Sequence, residues 1–293
     1  MADPARVRLV EEVVPATPRE VCEVCEADDF APLFSLAGDR GSYRQCRACG
    51  MVALDTTAAY DYAGPDYVEA LLRQALSGER LYARILDHVE RHHAVGTLVE
   101  VGCSVGTQLH IAKKRGWEVL GFELNPDCPP IAEHLYRVEV RGTDFTTLDE
   151  KDLADVVLMN QFIEHVPDPR PFLAACRRVL RPGGLVAMAT PNWNFAAPFA
   201  WLHQRAGVPL PPIDHIRPPQ HVRLYSPRSM ATLAERNGFL LRAVVDNPTD
   251  FLGGRSRWSP RRLVADATRL LERATSGRVL LGMNMLAILE LRG

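Results

Sequence analysis

Four cysteines fall into two pairs, Cys22-x-x-Cys25 and Cys46-x-x-Cys49, separated by 20 residues. Each pair sets two thiolates on one tight turn, and two such knuckles close a tetrahedron of sulfur around zinc. Residues 21–54 carry too few apolar side chains for an independent core, so the metal would supply their folding energy. The set is closed, which makes the expected zinc structural rather than catalytic. The competing reading is two unrelated thiol pairs, which so short a segment could hardly bury. Cys103, Cys128 and Cys176 lack partners at ligand spacing and read as ordinary thiols.

A second constellation lies in residues 98–126, LVEVGCSVGTQLHIAKKRGWEVLGFELNP. An apolar run bearing Glu100 stops at Gly102, Gly106 opens an amphipathic stretch, and a further apolar run ends at Glu123. Strand, glycine turn, helix, strand and acid together present backbone amides and a carboxylate to a nucleoside. The carboxylate of Glu123 suits two vicinal ribose hydroxyls. Gly102 and Gly106 have no glycine between them, which departs from the dinucleotide pattern G-x-G-x-x-G.

A third constellation is Asn160-Gln161-Phe162-Ile163-Glu164-His165-Val166-Pro167-Asp168-Pro169, with His221 later in the chain. His165 is the best general-base candidate, because imidazole titrates near neutral pH. The plainer alternative is that Glu164 and His165 shape the loop. His221 reads equally as a substrate contact, a base across the cleft, or an ordering residue before the next helix.

These residues need a frame. Expected strands are Thr97–Val101, Glu118–Glu123, Arg137–Val140, Asp155–Asn160 and Leu185–Thr190, with helices Gly106–Arg115, Cys128–His134 and Pro171–Leu180 between them. The alternation predicts an α/β fold with a mostly parallel sheet covered on both faces. Arg181-Pro182-Gly183-Gly184 reads as a helix stop and turn. Helices are also expected over Tyr67–His93, Phe195–His203, Pro227–Asn237 (capped by Ser226) and Pro260–Ala274, and strands over Phe239–Val245 and Met283–Leu291. The expected organisation is a lead-in at 1–20, a zinc ribbon at 21–54, a helical connector at 55–95, and one large domain at 96–293 with insertions at 191–225 and 247–281.

The chain has 293 residues, 47% hydrophobic and 24% charged, with a net charge of −2. That balance gives no global basic field for nucleic acid. No apolar stretch reaches the roughly 18 residues of a membrane span. The opening MADPARVRLVEEVVP lacks an apolar signal core. A cytoplasmic protein without membrane partners is expected; oligomeric state is not readable.

Residues 96–293 resemble the class I S-adenosylmethionine-dependent methyltransferases, a seven-stranded Rossmann-like family. Glu100-Val-Gly102-Cys-Ser104-Val-Gly106 matches the family signature except at Ser104, where the family has glycine. The resemblance implies S-adenosylmethionine as cofactor. It places Glu100 toward the cofactor's amine, Asp144 at the adenine amine, Phe145 flanking the base, and Asn160 beneath the cofactor. The 160–169 loop is similar to that of ubiquinone-pathway O-methyltransferases and small-RNA 2′-O-methyltransferases. Their Glu-x-x-Glu-His metal ligands correspond here to Gln161, Glu164 and His165, and His221 stands where the RNA enzymes' later histidine falls. Losing the first carboxylate to Gln161 disfavours a catalytic metal. A cysteine module before such a domain occurs in sugar and natural-product methyltransferases and in ribosomal RNA base methyltransferases. The charge balance favours a small-molecule acceptor, a sugar or nucleotide-sugar unit or a secondary metabolite, with transfer to oxygen weakly preferred. The rivals are an RNA methyltransferase and a zinc-ribbon interaction protein whose methyltransferase-like domain is inactive.

Overall fold

The structure is a computed structural model, and it describes residues 20–35, 41–55, 62, 68–69, 71–73, 79–207, 216–247, 280 and 282–292. Apolar runs, buried on both faces in the central strands, build a seven-stranded sheet. Its members are β4 (Thr97–Val101), β5 (Glu118–Phe122), β6 (Val140–Arg141), β7 (Ala154–Asn160), β8 (Leu180–Pro191), β10 (Phe239–Asp246) and β11 (Asn284–Leu291). Their order is β10-β11-β8-β7-β4-β5-β6. Strands β6 to β8 through β5, β4 and β7 run parallel, and β11 lies antiparallel between β8 and β10. The order reverses between β4 and β7, which opens a crevice at their carboxyl ends.

Helices cover the two faces. On one side are α1 (Glu79–Val89), α2 (Thr107–Lys114) and α3 (Cys128–Tyr136); Leu98, Val156, Leu158 and Ala187 of the sheet pack with them. On the other are α4 (Arg170–Val179) and α6 (Pro227–Arg236), against Val99, Val157, Val186 and Met285. Helix α6 starts as the sequence suggests. Ser226 Oγ accepts the Ser229 amide at 3.2 Å, and the Ser226 amide donates to Ser229 Oγ at 2.8 Å.

Three details differ from expectation. The third strand is only Val140–Arg141, because Arg137 takes φ 54 as the left-handed cap of α3. Arg181–Gly184 does not precede its strand but bulges from it: Leu180 pairs with Ala154 and Leu185 with Val156. The helix expected over 67–93 comprises helical residues at 68–69 and 71–73 and then α1, with turns after Val89. The helix expected at Pro260–Ala274 lies outside the described residues.

The cysteine segment forms β1 (Phe30–Ser35), β2 (Ser42–Cys46) and β3 (Val52–Asp55), an antiparallel sheet. Its fourth strand comes from the 191–225 insertion. There α5 (Trp193–Ala206) is followed by β9 (Arg223–Leu224), and Val52 and Ala53 pair with Leu224 and Arg223. Cys22, Val24, Cys46, Cys49 and Met51 share one core with α4, α6 and the large sheet. The cysteine module is therefore packed into the larger domain rather than standing apart from it.

Candidate active site and cysteine cluster

The turn after β4 has Gly102 at φ 68, Ser104 at φ 53 and Gly106 at φ 79. At Gly102 a Cβ would lie 2.4 Å from the Phe162 ring, so the glycine admits the loop after β7 against the turn. At Gly106 a Cβ would meet Val138 at 2.8 Å and Ala132 at 3.1 Å, so this glycine lets α2 start against α3. Ser104 adopts the left-handed conformation that glycine takes more easily. That conformation aims its amide at Glu123 Oε2, 3.0 Å away. The Asn125 amide donates to Glu123 Oε1 at 2.9 Å. Each carboxylate oxygen thus accepts one of these amides, and a carboxylate oxygen has more than one acceptor position. Burial pushes the Glu123 carboxyl up, against the amides of Asn125, Ser104 and Leu124.

Glu100 lies within the sheet, and its Oε2 has no hydrogen-bond partner among the described residues. Burial, and then Glu123, raise its carboxyl well above the usual range. A buried carboxyl without a cation stays protonated; an ammonium beside it would restore its charge. Asn160 Nδ2 donates to Gln108 Oε1 at 2.8 Å, leaving Asn160 Oδ1 and Gln108 Nε2 without partners among the described residues. These orphaned buried atoms fit a polar, cationic ligand at the strand ends. Asp144 is exposed and caps a 3-10 turn at Phe145–Thr147; its Oδ1 accepts the Thr146 amide and hydroxyl, each at 2.8 Å. Phe145 does not stand open beside a ligand. It is 2% exposed and packs edge-on against Phe122, centroids 5.4 Å apart, because the turn folds its ring into the core.

The structure brings Glu164, His165 and His221 together. Their donor atoms all lie within 4.8 Å of one another. Glu164 sits in a 3-10 turn after β7, fully buried, with Oε2 accepting the Thr190 hydroxyl at 3.0 Å. Burial pushes its carboxyl up to about 8. His165 Nδ1 lies 2.9 Å from the Gln220 carbonyl. Burial lowers its imidazole to about 4, against the carbonyls of Gln220 and Gln161. His165 is thus neutral at physiological pH, and with Nδ1–H donating to Gln220, Nε2 keeps a lone pair that can accept a proton.

One partner was not foreseen. Tyr62 OH lies 3.2 Å from His165 Nδ1, while the Tyr62 carbonyl accepts Asn125 Nδ2 at 2.7 Å. The connector thus bridges the Glu123 turn and the His165 loop. Its YDYAGPDY sequence has no periodicity that could have signalled this.

The four cysteines converge as their spacing predicts. Cys22 and Cys49 sulfurs are 3.6 Å apart, Cys25 and Cys46 sulfurs 3.5 Å apart, and all four lie within 4.8 Å. These are not disulfide distances. A tetrahedron with Zn–S bonds of about 2.3 Å has sulfurs about 3.8 Å apart, so the arrangement fits zinc. The Cys49 hydrogen bond pulls the Cys22 thiol down to about 5, while burial pushes Cys25 up to about 11. A dication would allow all four to ionise.

Residues 71–244, more than half of the chain, match the family described as methyltransferase domain. The chain belongs to the methyltransferase-domain family. Among curated relatives of this methyltransferase-domain protein, ubiquinone biosynthesis O-methyltransferase of Cereibacter sphaeroides is 34% identical over 103 residues, covering 33% of this chain and 42% of that one. The Methylococcus capsulatus protein of the same name is 34% identical over 106 residues, covering 34% of this chain and 45% of that one. The chain thus spans less than half the length of these relatives. An Archaeoglobus fulgidus SAM-dependent methyltransferase structure aligns with a TM-score of 0.51 at 19% identity, over 76% of this chain and 99% of that one. The structure of Burkholderia thailandensis 1,6-didemethyltoxoflavin-N1-methyltransferase, with 1,6-didemethyltoxoflavin and S-adenosylhomocysteine, aligns with a TM-score of 0.51 at 15% identity, over 89% and 99%. At those identities the structures establish a shared class I fold. Among the described residues, no helix of the methyltransferase-domain protein is long and apolar enough to cross a membrane.

Proposed function

We propose that this chain is an S-adenosylmethionine-dependent methyltransferase that acts on a small molecule, with a hydroxyl oxygen as the preferred acceptor. The observation that carries the reading is the placement of two acids, Glu100 and Glu123, at one side of the crevice and of His165 and His221 at the other. The limited likeness to ubiquinone biosynthesis O-methyltransferases supports the oxygen preference. A net charge of −2 argues against an RNA substrate.

When bound, S-adenosylmethionine supplies a sulfonium methyl for in-line displacement. Glu123 would hold the ribose diol, Glu100 the ammonium, Asn160 and Gln108 the floor, and the Asp144 turn the adenine edge. His165 would accept the acceptor's proton at Nε2, and its Gln220 and Tyr62 contacts fix the ring for that step. His221 would face the acceptor from across the ring. The four thiolates would hold a structural zinc.

A second reading of the reaction centre rests on the 4.8 Å cluster. Glu164, His165 and His221 would there ligate a divalent cation, with one carboxylate fewer than the resemblance provides because position 161 is glutamine. Titration of magnesium or manganese into zinc-loaded enzyme separates the two: transfer rises with the added cation in this reading and is unchanged in the first.

The test is transfer of labelled methyl from S-adenosylmethionine to a panel of catechols, sugar nucleotides and total RNA. Label on a hydroxyl of a small molecule is expected. Label on RNA alone, or on nothing, contradicts the proposal.

A further inference from the structure

The proposed chemistry leaves the cysteine module without a part to play. Yet both knuckles are tied to the segment that bears His221. In the first knuckle, Glu23 lies between Cys22 and Cys25, and its Oε1 accepts Arg223 Nη2 at 2.6 Å, with both side chains only 2% exposed. In the second, the Ala48 carbonyl lies between Cys46 and Cys49 and accepts Arg228 Nη2 from the first turn of α6. Between these anchors the module's sheet grips the same segment. The Leu54 amide donates to the Val222 carbonyl at 2.9 Å, and Ala53 pairs with Arg223. The Tyr43 hydroxyl, from β2, donates to the His221 carbonyl at 3.3 Å. From the other side, the Val222 amide donates to the Glu164 carbonyl at 2.9 Å.

A fully buried ion pair is a poor device for stability alone, since the desolvation of both charges offsets much of their attraction. It does specify position, because either charge is costly if it loses its partner. His221 stands two residues before Arg223, just ahead of a strand of only two residues, which has little hold of its own.

We infer that the cysteine module positions the reaction centre: Glu23 and Tyr43 hold the Arg223 strand, and so fix His221 against His165. The inference rests on the reading of His165 and His221 as the reaction centre, but its test does not depend on turnover. Glu23, Tyr43 and Arg223 are positioning residues that act through His221.

The test uses the full chain with histidine rings labelled with nitrogen-15. In wild type the His165 and His221 rings should show mutual proton contacts, and residues 220–226 should exchange amide hydrogen slowly. The double variant Glu23→Leu/Arg223→Met replaces the pair by apolar groups. It should keep about one zinc per chain and bind S-adenosylhomocysteine within about threefold of wild type. It should lose the contacts between the histidine rings, and exchange at 220–226 should quicken at least about tenfold. Retained ring contacts and wild-type exchange in that variant would overturn the inference. If the double variant does not fold, Tyr43→Phe decides by the same measurements. Faster exchange at 220–226 supports the inference, and unchanged exchange with intact ring contacts overturns it. Failure of the proposed function would show separately, as His165→Ala and His221→Ala variants with wild-type methyl transfer.

Discussion

His165 and His221 pack edge-on against each other on one side of the crevice, with ring centroids 4.9 Å apart and planes inclined at 64°. One ring follows the parallel strand β7; the other precedes β9, in the sheet of the cysteine module. If they form the reaction centre, each should matter to turnover and little to cofactor affinity. His165→Ala should lower kcat by about 100-fold, the usual scale of a general base, and leave affinity for S-adenosylhomocysteine within about threefold. His221→Ala should lower kcat with the same selectivity. Steady-state kinetics beside calorimetry checks both, and unchanged turnover in the two variants would remove these roles.

Tyr62→Phe keeps the backbone carbonyl that Asn125 binds and removes the hydroxyl near His165 Nδ1. A fall in kcat of about fivefold is expected, consistent with one neutral hydrogen bond of about 1 kcal/mol, with cofactor affinity unchanged. Equal kcat would make the contact incidental.

Glu164 and His165 give opposite pH slopes to stability. Glu164 is raised to about 8 by burial, so its contribution is present below the unfolded value of about 4.3 and is lost as pH rises through 8. His165 is lowered to about 4 by burial, so stability is lost as pH falls from the unfolded imidazole value of about 6.5 toward 4. Of the two, Glu164 alone acts between about pH 6.5 and 8, where its share of the loss in stability should be about 2 kcal/mol. Glu164→Gln retains an oxygen for the Thr190 hydroxyl and should flatten that slope in urea titrations. An equal loss in the variant would count against the assignment.

Gly106 has φ 79, and a Cβ there would press on Val138 and Ala132. Gly106→Ala should cost about 3 kcal/mol, from a left-handed alanine and local overpacking. Ser104→Gly should be nearly neutral, because relief of the left-handed strain is offset by greater freedom in the unfolded chain. Denaturation midpoints at constant slope distinguish the two outcomes.

Metal analysis should find about one zinc per chain. Cys46→Ser should lose most of it, with a drop in stability on the order of 3 kcal/mol or more. Well-folded wild type free of zinc would defeat the tetrahedral reading.

The parts of the fold legible in the sequence are those with local signals. Leu98–Val101, interrupted only by Glu100, and Val156–Met159 are apolar runs, as doubly covered parallel strands tend to be. The glycine turn at 102–106 and the cysteine pairs carry their geometry in their spacing. What was hidden depends on distant pairing. Arg223 and Leu224 form a strand only because Val52 and Ala53 lie beside them, and two residues have no period to detect. Arg223 is buried only because Glu23 meets it. The resemblance alone puts Phe145 beside the base, whereas the Asp144 cap turns its ring onto Phe122.

The account stands on a methyl-donor site built around Glu123. Calorimetric titration of S-adenosylhomocysteine into wild type and Glu123→Ala tests it most directly. Saturable binding to wild type is predicted, weakened at least about 30-fold in the variant by the loss of charge-assisted hydrogen bonds to the ribose. No binding by wild type, or undiminished binding by Glu123→Ala, would contradict it.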